Sequence, residues 1–221
     1  MNYPVIWSIL AILAGSCARA GVCSRETQSG QPRNEFQITA GYSPESSTVI
    51  GTAQDRKFVI AGFTYAYRCW DGKNVAISYA AGVMPAAIVI QPEQFVIGNP
   101  ASSTADPTVI NRVRAPKHSV YGFGVTPVGF VFEFAARRRI HPLIETAGGI
   151  VASTEPVPIR SMDATGLNFL FYLGGGLRFQ IHERGAVTLG YRFLHISNAG
   201  TTNFNPGLDN NVFYIGYSLR R

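Results

Sequence analysis

One segment near the end of the chain has a residue pattern that indicates the fold class: Leu189-Gly190-Tyr191-Arg192-Phe193-Leu194-His195-Ile196-Ser197-Asn198. In a β-strand, residues two apart share a face. One face of this strand is apolar and aromatic until its last two members, which are polar: Leu189, Tyr191, Phe193, His195 and Ser197. The other face carries Thr188, Gly190 and Arg192. In a soluble barrel a polar end to an otherwise apolar face is hard to explain. In a membrane barrel the apolar face is turned toward lipid.

The composition favours an all-β protein of one domain. Of the 221 residues only 14% are charged, while 23 are glycine, 14 phenylalanine and 10 tyrosine. Few charges with many glycines and aromatic residues are typical of strands joined by tight turns. No apolar run reaches the roughly 18–20 residues of a membrane-spanning helix. A membrane-spanning chain of this kind must be a closed barrel, because only helices and closed barrels satisfy every backbone group in lipid.

The positive charge of the chain bears on its partners. The formal net charge is +6, but the basic residues are scattered apart from Arg137-Arg138-Arg139. That cluster lies between two apolar strands and is typical of a turn. Nucleic-acid binding needs a continuous basic patch or stripe, so we predict no nucleic-acid partner. An anionic membrane surface suits this charge better.

The N-terminus has the pattern of a secretory signal peptide. A short apolar run, Val5 to Ala14, is followed by the cleavage-like motif Ala18-Arg19-Ala20. This predicts a signal peptide at residues 1–20, cleaved after Ala20. Two alternatives stay open: a lipoprotein whose first mature residue is Cys17, and a buried N-terminal helix.

After cleavage, residues 21–35 are expected to form a flexible polar lead-in to a barrel of residues 36–221. Two cysteines then remain, Cys23 and Cys69. Exported cysteines commonly form disulfides. The sequence leaves open whether these two pair with each other or stay free.

Eight segments have the alternation of a strand, and they predict an eight-stranded antiparallel up-and-down transmembrane β-barrel. They lie at residues 36–42, 57–69, 74 to about 83, 119–134, 141–152, 167–180, 186–198 and 211–219. Most are near or above the roughly 9–11 residues that a strand needs to cross a bilayer. The phase of the fourth segment changes near Pro127, which predicts a β-bulge.

The connections between these segments alternate in length. Those after the first, third, fifth and seventh segments are long, and those after the second, fourth and sixth are short. Short periplasmic turns and long outer loops are typical of an outer-membrane barrel. The longest connection, Pro85 to Lys117, is expected to carry function or structure of its own. With a periplasmic N-terminus the seventh strand runs outward, so His195 and Ser197 lie at its extracellular end.

The inward faces of the predicted strands collect polar and charged residues. These are Arg68, Glu133, Glu145, Tyr172, Arg178 and Arg192. The interior of an eight-stranded barrel is filled by side chains, and an unpaired buried charge is costly. We therefore predict a paired network with a structural role.

A possible catalytic group lies at the outer end of the seventh strand. A serine attacks an ester when a base takes its proton and a third group orients that base. His195 and Ser197 have Cα atoms about 6–7 Å apart on one face, and Asp209 follows on the lipid-facing parity of the last strand. Asn198 and the backbone N–H of Gly200 are candidate oxyanion donors. The alternative is a polar rim where the strand leaves the hydrocarbon, although polar groups on an apolar-facing side are expensive.

The same residues carry a family resemblance. Gly190-Tyr191-Arg192-Phe193-Leu194-His195-Ile196-Ser197-Asn198-Ala199, with Asn205-Pro206-Gly207 and the carboxylate of Asp209, resembles the PagL family of outer-membrane lipid A 3-O-deacylases. The resemblance is specific from about residue 190 to 217 and architectural elsewhere. It implies an eight-stranded barrel whose catalytic residues face the membrane. It further implies His195 as base, Ser197 as nucleophile and Asp209 as orienting acid, with Asn198 and Gly200 at the oxyanion hole.

The chain departs from the family pattern at two points. Asp209 is one methylene shorter than the family's usual glutamate. The chain ends in Leu219-Arg220-Arg221, without the terminal phenylalanine common in outer-membrane barrels.

The strand pattern and the resemblance together predict an outer-membrane serine esterase that removes an ester-linked acyl chain from the lipid A of lipopolysaccharide. The resemblance implies that this chain is the 3-O-linked one. We predict no cofactor and no metal, because His118, His141 and His182 show no ligand spacing. The expected partners are the lipid A substrate and the outer membrane, with the chain acting as a monomer or a homodimer. Basic residues of the longest connection either hold lipid A phosphates or are solvated charges: Arg112, Arg114 and Lys117.

Two other functions remain possible from the sequence. A non-catalytic barrel, of the adhesin or structural type, predicts that Ser197→Ala leaves every property intact. A soluble lipocalin-like binder predicts a polar outer face, against the apolar and aromatic stripe between Leu167 and Phe179.

Overall fold

The structure is a computed structural model that describes residues 33–97, 112–157, 165–202 and 205–221. The predicted signal peptide and nearly all of the predicted lead-in lie outside these ranges, as does Cys23. Cys69 is disulfide-bonded, so the open alternative in which it stays free is wrong, and whether its partner is Cys23 stays open. Within the described residues no helix is long and apolar enough to cross a membrane.

The described residues form eleven strands. They are β1 (Asn34–Ser43), β2 (Ser46–Ser47), β3 (Lys57–Asp71), β4 (Val75–Gln91), β5 (Gln94–Ile97), β6 (Arg112–Ala115), β7 (His118–Phe134), β8 (Ile140–Ser153), β9 (Leu167–His182), β10 (Gly185–Ser197) and β11 (Leu208–Arg220). Eight long strands pair in the order β1-β3-β4-β7-β8-β9-β10-β11, and β11 pairs back with β1. Every pairing is antiparallel. The predicted closed eight-stranded barrel is therefore confirmed.

The two faces of the barrel wall differ as the alternation predicted. Many large apolar side chains on the outer face are exposed, among them Ile38 at 58% and Phe213 at 61%. Their inward neighbours are fully buried, as Leu194 and Val212 are at 0%. A continuous band of exposed apolar side chains is expected where the wall meets lipid. It contradicts the polar outer face of the lipocalin-like alternative.

Three prolines lie inside barrel strands, and two of them, Pro85 and Pro127, lie at irregularities of the ladder. The pairing of β7 with β8 jumps from Val125 to Val128 around Pro127, which confirms the predicted bulge. The prediction that the longest connection begins at Pro85 is wrong, because β4 continues through Pro85 to Gln91. The register against β7 shifts between Met84 and Ala87, and such a bulge accommodates a residue that has no N–H to donate. The shortened connection contains the β5–β6 hairpin.

The six inward residues that we predicted to be paired are all buried. Near the short-turn end of the barrel, Glu133 accepts hydrogen bonds from Arg68, Arg178 and Arg220. Glu35 of β1 shares two of these arginines, with Arg178 Nη2 2.8 Å from Oε1 and Arg220 Nε 2.8 Å from Oε2. This network joins β1, β3, β7, β9 and β11 across the lumen, so it ties together strands that do not pair.

A second group fills the middle of the lumen. Arg192 donates to both oxygens of Glu145, at 2.7 and 3.0 Å. Its guanidinium carbon lies 4.6 Å from the ring centroid of Tyr172 and 4.2 Å from that of Tyr214. The charge is thereby paired and stacked between aromatic faces, as a buried arginine requires.

Removing the central carboxylate should destabilise the barrel strongly. Glu133→Ala leaves Arg68, Arg178 and Arg220 without their shared counter-charge, and breaking a buried pair typically costs about 3–5 kcal/mol. Urea unfolding of the detergent-solubilised barrel measures the effect, with Glu183→Ala in an exposed turn as the control. Equal unfolding midpoints for the two variants would contradict a stabilising role for the network.

Candidate active site

The outer end of β10 presents His195 and Ser197 on the outward face. The residues that alternate with them, Leu194 and Ile196, are 0% and 1% exposed and point into the lumen. Two steps down the same outward face, Tyr191 is 38% exposed, whereas His195 is only 7% exposed. The histidine is therefore on the membrane side of the wall but covered by its surroundings.

Neighbouring groups on both sides cover the imidazole ring. Phe171 lies opposite His195 in the β9–β10 ladder, and the two ring centroids are 5.5 Å apart. On the other side lies Gly207, where a Cβ atom would be only 3.0 Å from His195 Cε1. The backbone of Gly207 has φ +62°, a conformation that glycine adopts without strain. A glycine here both turns the chain into β11 and leaves room for the ring.

His195 is bonded to Asp209 on the adjacent strand. The two residues are direct partners in the β10–β11 register, and His195 Nδ1 lies 2.5 Å from Asp209 Oδ1. Asp209 is 0% exposed. An ionised carboxylate only accepts hydrogen bonds, so Nδ1 carries a proton, and in the neutral imidazole the lone pair is on Nε2. This is the orientation that a histidine needs to act as a general base through Nε2.

The second oxygen of Asp209 is held from a loop. Asp209 Oδ2 accepts hydrogen bonds from the backbone N–H groups of Ile50 and Gly51, at 2.6 and 2.9 Å. Neither residue was predicted from the sequence; both lie between β2 and β3. Backbone donors cannot be recognised from residue types. Gly51 was the only feature of this loop sequence that could have indicated them.

Ser197 ends β10 and is partly exposed. Its neighbour on the same face is His195, about 6–7 Å away between Cα atoms. The described part of the chain contains no hydrogen bond between the Ser197 hydroxyl and His195. The structure thus brings His195 and Asp209 into contact and leaves Ser197 beside them. Hydrogen bonds of a catalytic group are often long or unformed until substrate binds.

Asn198 and Gly200, the candidate oxyanion donors, lie in the turn that follows β10. The Gly200 N–H donates to Asn198 Oδ1 at 2.9 Å, and Asn198 Nδ2 donates to Thr202 Oγ1 at 2.6 Å. The Asn198 N–H donates to Asn205 Oδ1 at 3.1 Å. Both candidate donors are thus engaged within the turn, and a role at an oxyanion requires them to change partners.

Of the three basic residues that could contact lipid A phosphates, only Lys117 has a described side chain. The side chains of Arg112 and Arg114 lie outside the described part of the structure. Lys117 is exposed between β6 and β7. This exposure is compatible both with phosphate binding and with a solvated surface charge.

Comparison with known proteins identifies the family. A family model described as lipid A 3-O-deacylase (PagL) matches residues 91–218, which is more than half of the chain. The matched range contains His195, Ser197 and Asp209. The chain belongs to the PagL family. The resemblance stated from the sequence is confirmed.

Solved structures support the same fold. The chain is similar to the crystal structure of the outer membrane enzyme PagL, with 18% identity, a TM-score of 0.54 and coverage of 84% of this chain and 99% of that one. It is also similar to the crystal structure of Neisserial surface protein A, with 11% identity, a TM-score of 0.50 and coverage of 87% and 100%. At these identities the likeness concerns the barrel fold. No curated protein sequence matches the chain.

Membership of the PagL family gives the general activity and location. The chain is a lipid A deacylase of the bacterial outer membrane. The prediction of an enzyme is thereby confirmed against the alternative of a non-catalytic barrel. The barrel fold alone does not separate the two, because surface proteins share it.

Proposed function

We propose that this chain removes the 3-O-linked acyl chain of lipid A as a serine esterase, with Ser197 as nucleophile, His195 as general base and Asp209 as the acid that orients His195. The observation that carries the proposal is the 2.5 Å contact between His195 Nδ1 and Asp209 Oδ1. A buried histidine–carboxylate pair on the membrane side of a barrel wall has a desolvation cost, which favours a functional origin.

Each step of the reaction follows from this arrangement. Nε2 of His195 takes the Ser197 proton as Oγ attacks the acyl carbonyl carbon, giving a tetrahedral oxyanion. Collapse breaks the bond to the sugar oxygen, which receives the proton from Nε2, and leaves the acyl chain esterified to Ser197. Water then attacks this ester with His195 again as base, releasing a fatty acid and free Ser197.

The surroundings of the site suit a substrate that stays in the bilayer. Below His195 on the outward face lie Phe193 and Tyr191, and beside it lies Phe171, which is 40% exposed. An acyl chain of lipid A can lie along these rings, because apolar contact requires no special geometry. The ester then meets Ser197 at the outer end of β10 without leaving the membrane.

The oxyanion donors belong to the same proposal. Asn198 and the N–H of Gly200 lie one and three residues after Ser197, in the turn that follows β10. We propose that substrate binding redirects at least one of them from the turn to the developing charge, where each such donor typically contributes about 10²–10³ in rate.

The site needs residues of one chain only. His195 and Ser197 come from β10, and Asp209 comes from the adjacent β11. Both a monomer and a homodimer would therefore present a complete site. Export to the outer membrane would rest on residues 1–20, the proposed signal peptide.

Mass spectrometry of lipid A from cells tests the proposal. Cells producing the wild-type chain should contain lipid A that lacks one 3-O-linked hydroxyacyl chain, and cells producing Ser197→Ala should not. Ser119→Ala is the matched control, because Ser119 is an exposed serine on β7 at the same end of the barrel. The control should deacylate as the wild type does. Deacylation by a folded Ser197→Ala variant would exclude Ser197 as the nucleophile.

A further inference from the structure

The loop between β2 and β3 approaches Asp209 from outside the β10–β11 pair. We call residues 48–56 the first outer loop. Besides the two donors to Asp209 Oδ2, this loop is bonded to the segment that leads into β11. Thr52 N donates to Pro206 O at 2.6 Å, and Ala53 N donates to Gly207 O at 3.3 Å. The Thr52 hydroxyl also donates to Pro206 O, at 2.9 Å.

Two glycines make this approach possible. A Cβ atom on Gly51 would lie 2.7 Å from the carbonyl carbon of Gly207 and 2.8 Å from its oxygen. A Cβ on Gly207 would lie 3.0 Å from Gly51 Cα. The loop backbone, the Gly207 backbone and the His195 ring therefore pack in succession with no side chain between them. Only this close packing brings the Ile50 and Gly51 N–H groups within reach of a carboxylate as short as that of Asp209.

We propose that the peptide N–H groups of Ile50 and Gly51 are positioning elements of the active site, which hold Asp209 so that its other oxygen faces His195. The inference rests on the proposed function, in which Asp209 orients the base. Two charge-assisted hydrogen bonds fix Oδ2 and compensate for the burial of the charge. With Oδ2 fixed, the other oxygen, Oδ1, faces His195 Nδ1. The first outer loop donates no hydrogen bond to His195 itself. It sets the orientation of His195 through Asp209.

A purely structural role for the loop makes a different prediction. If the loop only closes the end of the barrel, moving it should change stability and leave the His195–Asp209 bond as it is. If it positions Asp209, moving it should weaken that bond and lower kcat with little change in KM.

Gly51→Ala separates the two roles. The added Cβ would overlap the Gly207 backbone, so the loop must move away and the donors to Oδ2 must lengthen. The matched control is Val49→Ala in the same loop, where the side chain is 74% exposed. With the purified full-length chain in detergent micelles and lipid A as substrate, we expect Gly51→Ala to lower kcat by about 10–100-fold with KM within about threefold. We expect Val49→Ala to stay within twofold of the wild type.

A measurement that does not depend on catalysis accompanies the kinetics. In ¹H NMR spectra of the ¹⁵N-histidine-labelled protein, the Nδ1–H proton of His195 should resonate far downfield because of its short bond to a carboxylate. Gly51→Ala should move this resonance upfield. In Asp209→Asn, the amide protons of Ile50 and Gly51 should move upfield, because the acceptor has lost its charge. This second variant leaves the loop sequence unchanged and tests the contact even if Gly51→Ala does not fold.

Each outcome decides one question. A Gly51→Ala variant with wild-type kcat and an unshifted Nδ1–H resonance would overturn the positioning role, as would Ile50 and Gly51 amide resonances unmoved in Asp209→Asn. An active Ser197→Ala variant would instead overturn the proposed function. The shifts of the Nδ1–H and amide resonances would then still report whether the loop holds Asp209.

Discussion

His195→Ala is expected to lower kcat for lipid A deacylation by at least about 10³-fold, and combining it with Ser197→Ala is expected to cost almost nothing further. The physical reason is that the two residues act in one step. Without a base the serine hydroxyl keeps its proton, and without the hydroxyl the base has no nucleophile to activate. Effects of such residues are not additive, and the activity that remains reflects substrate binding and oxyanion donors alone.

Purified variants in detergent, assayed by release of fatty acid from lipid A, measure this effect. His182→Ala is the control, because His182 is an exposed histidine at the opposite end of the barrel from His195. It should keep wild-type kcat. If the losses of His195→Ala and Ser197→Ala multiply in the double variant, the two residues do not share a step and the proposed mechanism is wrong.

Asp209→Asn has the second largest expected effect, a loss of about 10²–10⁴ in kcat. The neutral amide keeps the shape of the side chain, but its NH₂ group is a donor. Ile50 and Gly51 N–H also donate at this position, so the amide must turn its oxygen to the loop and its NH₂ toward His195. Nδ1 then becomes the acceptor, and Nε2 carries the proton and cannot act as a base.

The pH-independent kcat of Asp209→Asn is the quantity to measure, with Asp55→Asn as control. Asp55 is an exposed aspartate of the first outer loop with φ 60°, a conformation that asparagine also tolerates. Asp55→Asn should therefore keep full activity. An Asp209→Asn variant within threefold of the wild type would show that His195 is oriented by other groups. Asp209→Glu should retain part of the activity, because it restores the charge but adds a methylene to a fully buried site.

The sequence alone was sufficient for the barrel wall. The period of two in β10 puts Leu194 and Ile196 inside and Tyr191, His195 and Ser197 outside. It is a local property, because each strand residue alternates whatever its partner is. The lumen pairing followed too, since the inward charges of a narrow barrel can meet only one another. The prediction that the strand ends before Pro85 was wrong because proline, which has no N–H, interrupts a regular hydrogen-bond ladder but is accommodated at a β-bulge.

The candidate site was also predictable only in part. Its residue types and their common face were readable from His195, Ser197 and Asp209, and the match to the PagL family added the substrate. The contact of His195 with Asp209 depends on the β10–β11 register, which the loop between the strands fixes and the alternation alone does not.

Which side of the wall each strand residue faces follows from the local sequence, because side-chain alternation is set within a few residues of backbone. How Asp209 is held depends instead on contacts between distant parts of the chain. The N–H groups of Ile50 and Gly51 come from 158 to 159 residues earlier in the chain. They reach the carboxylate because β2 pairs with β11 at Asp209, which brings the first outer loop beside the beginning of β11.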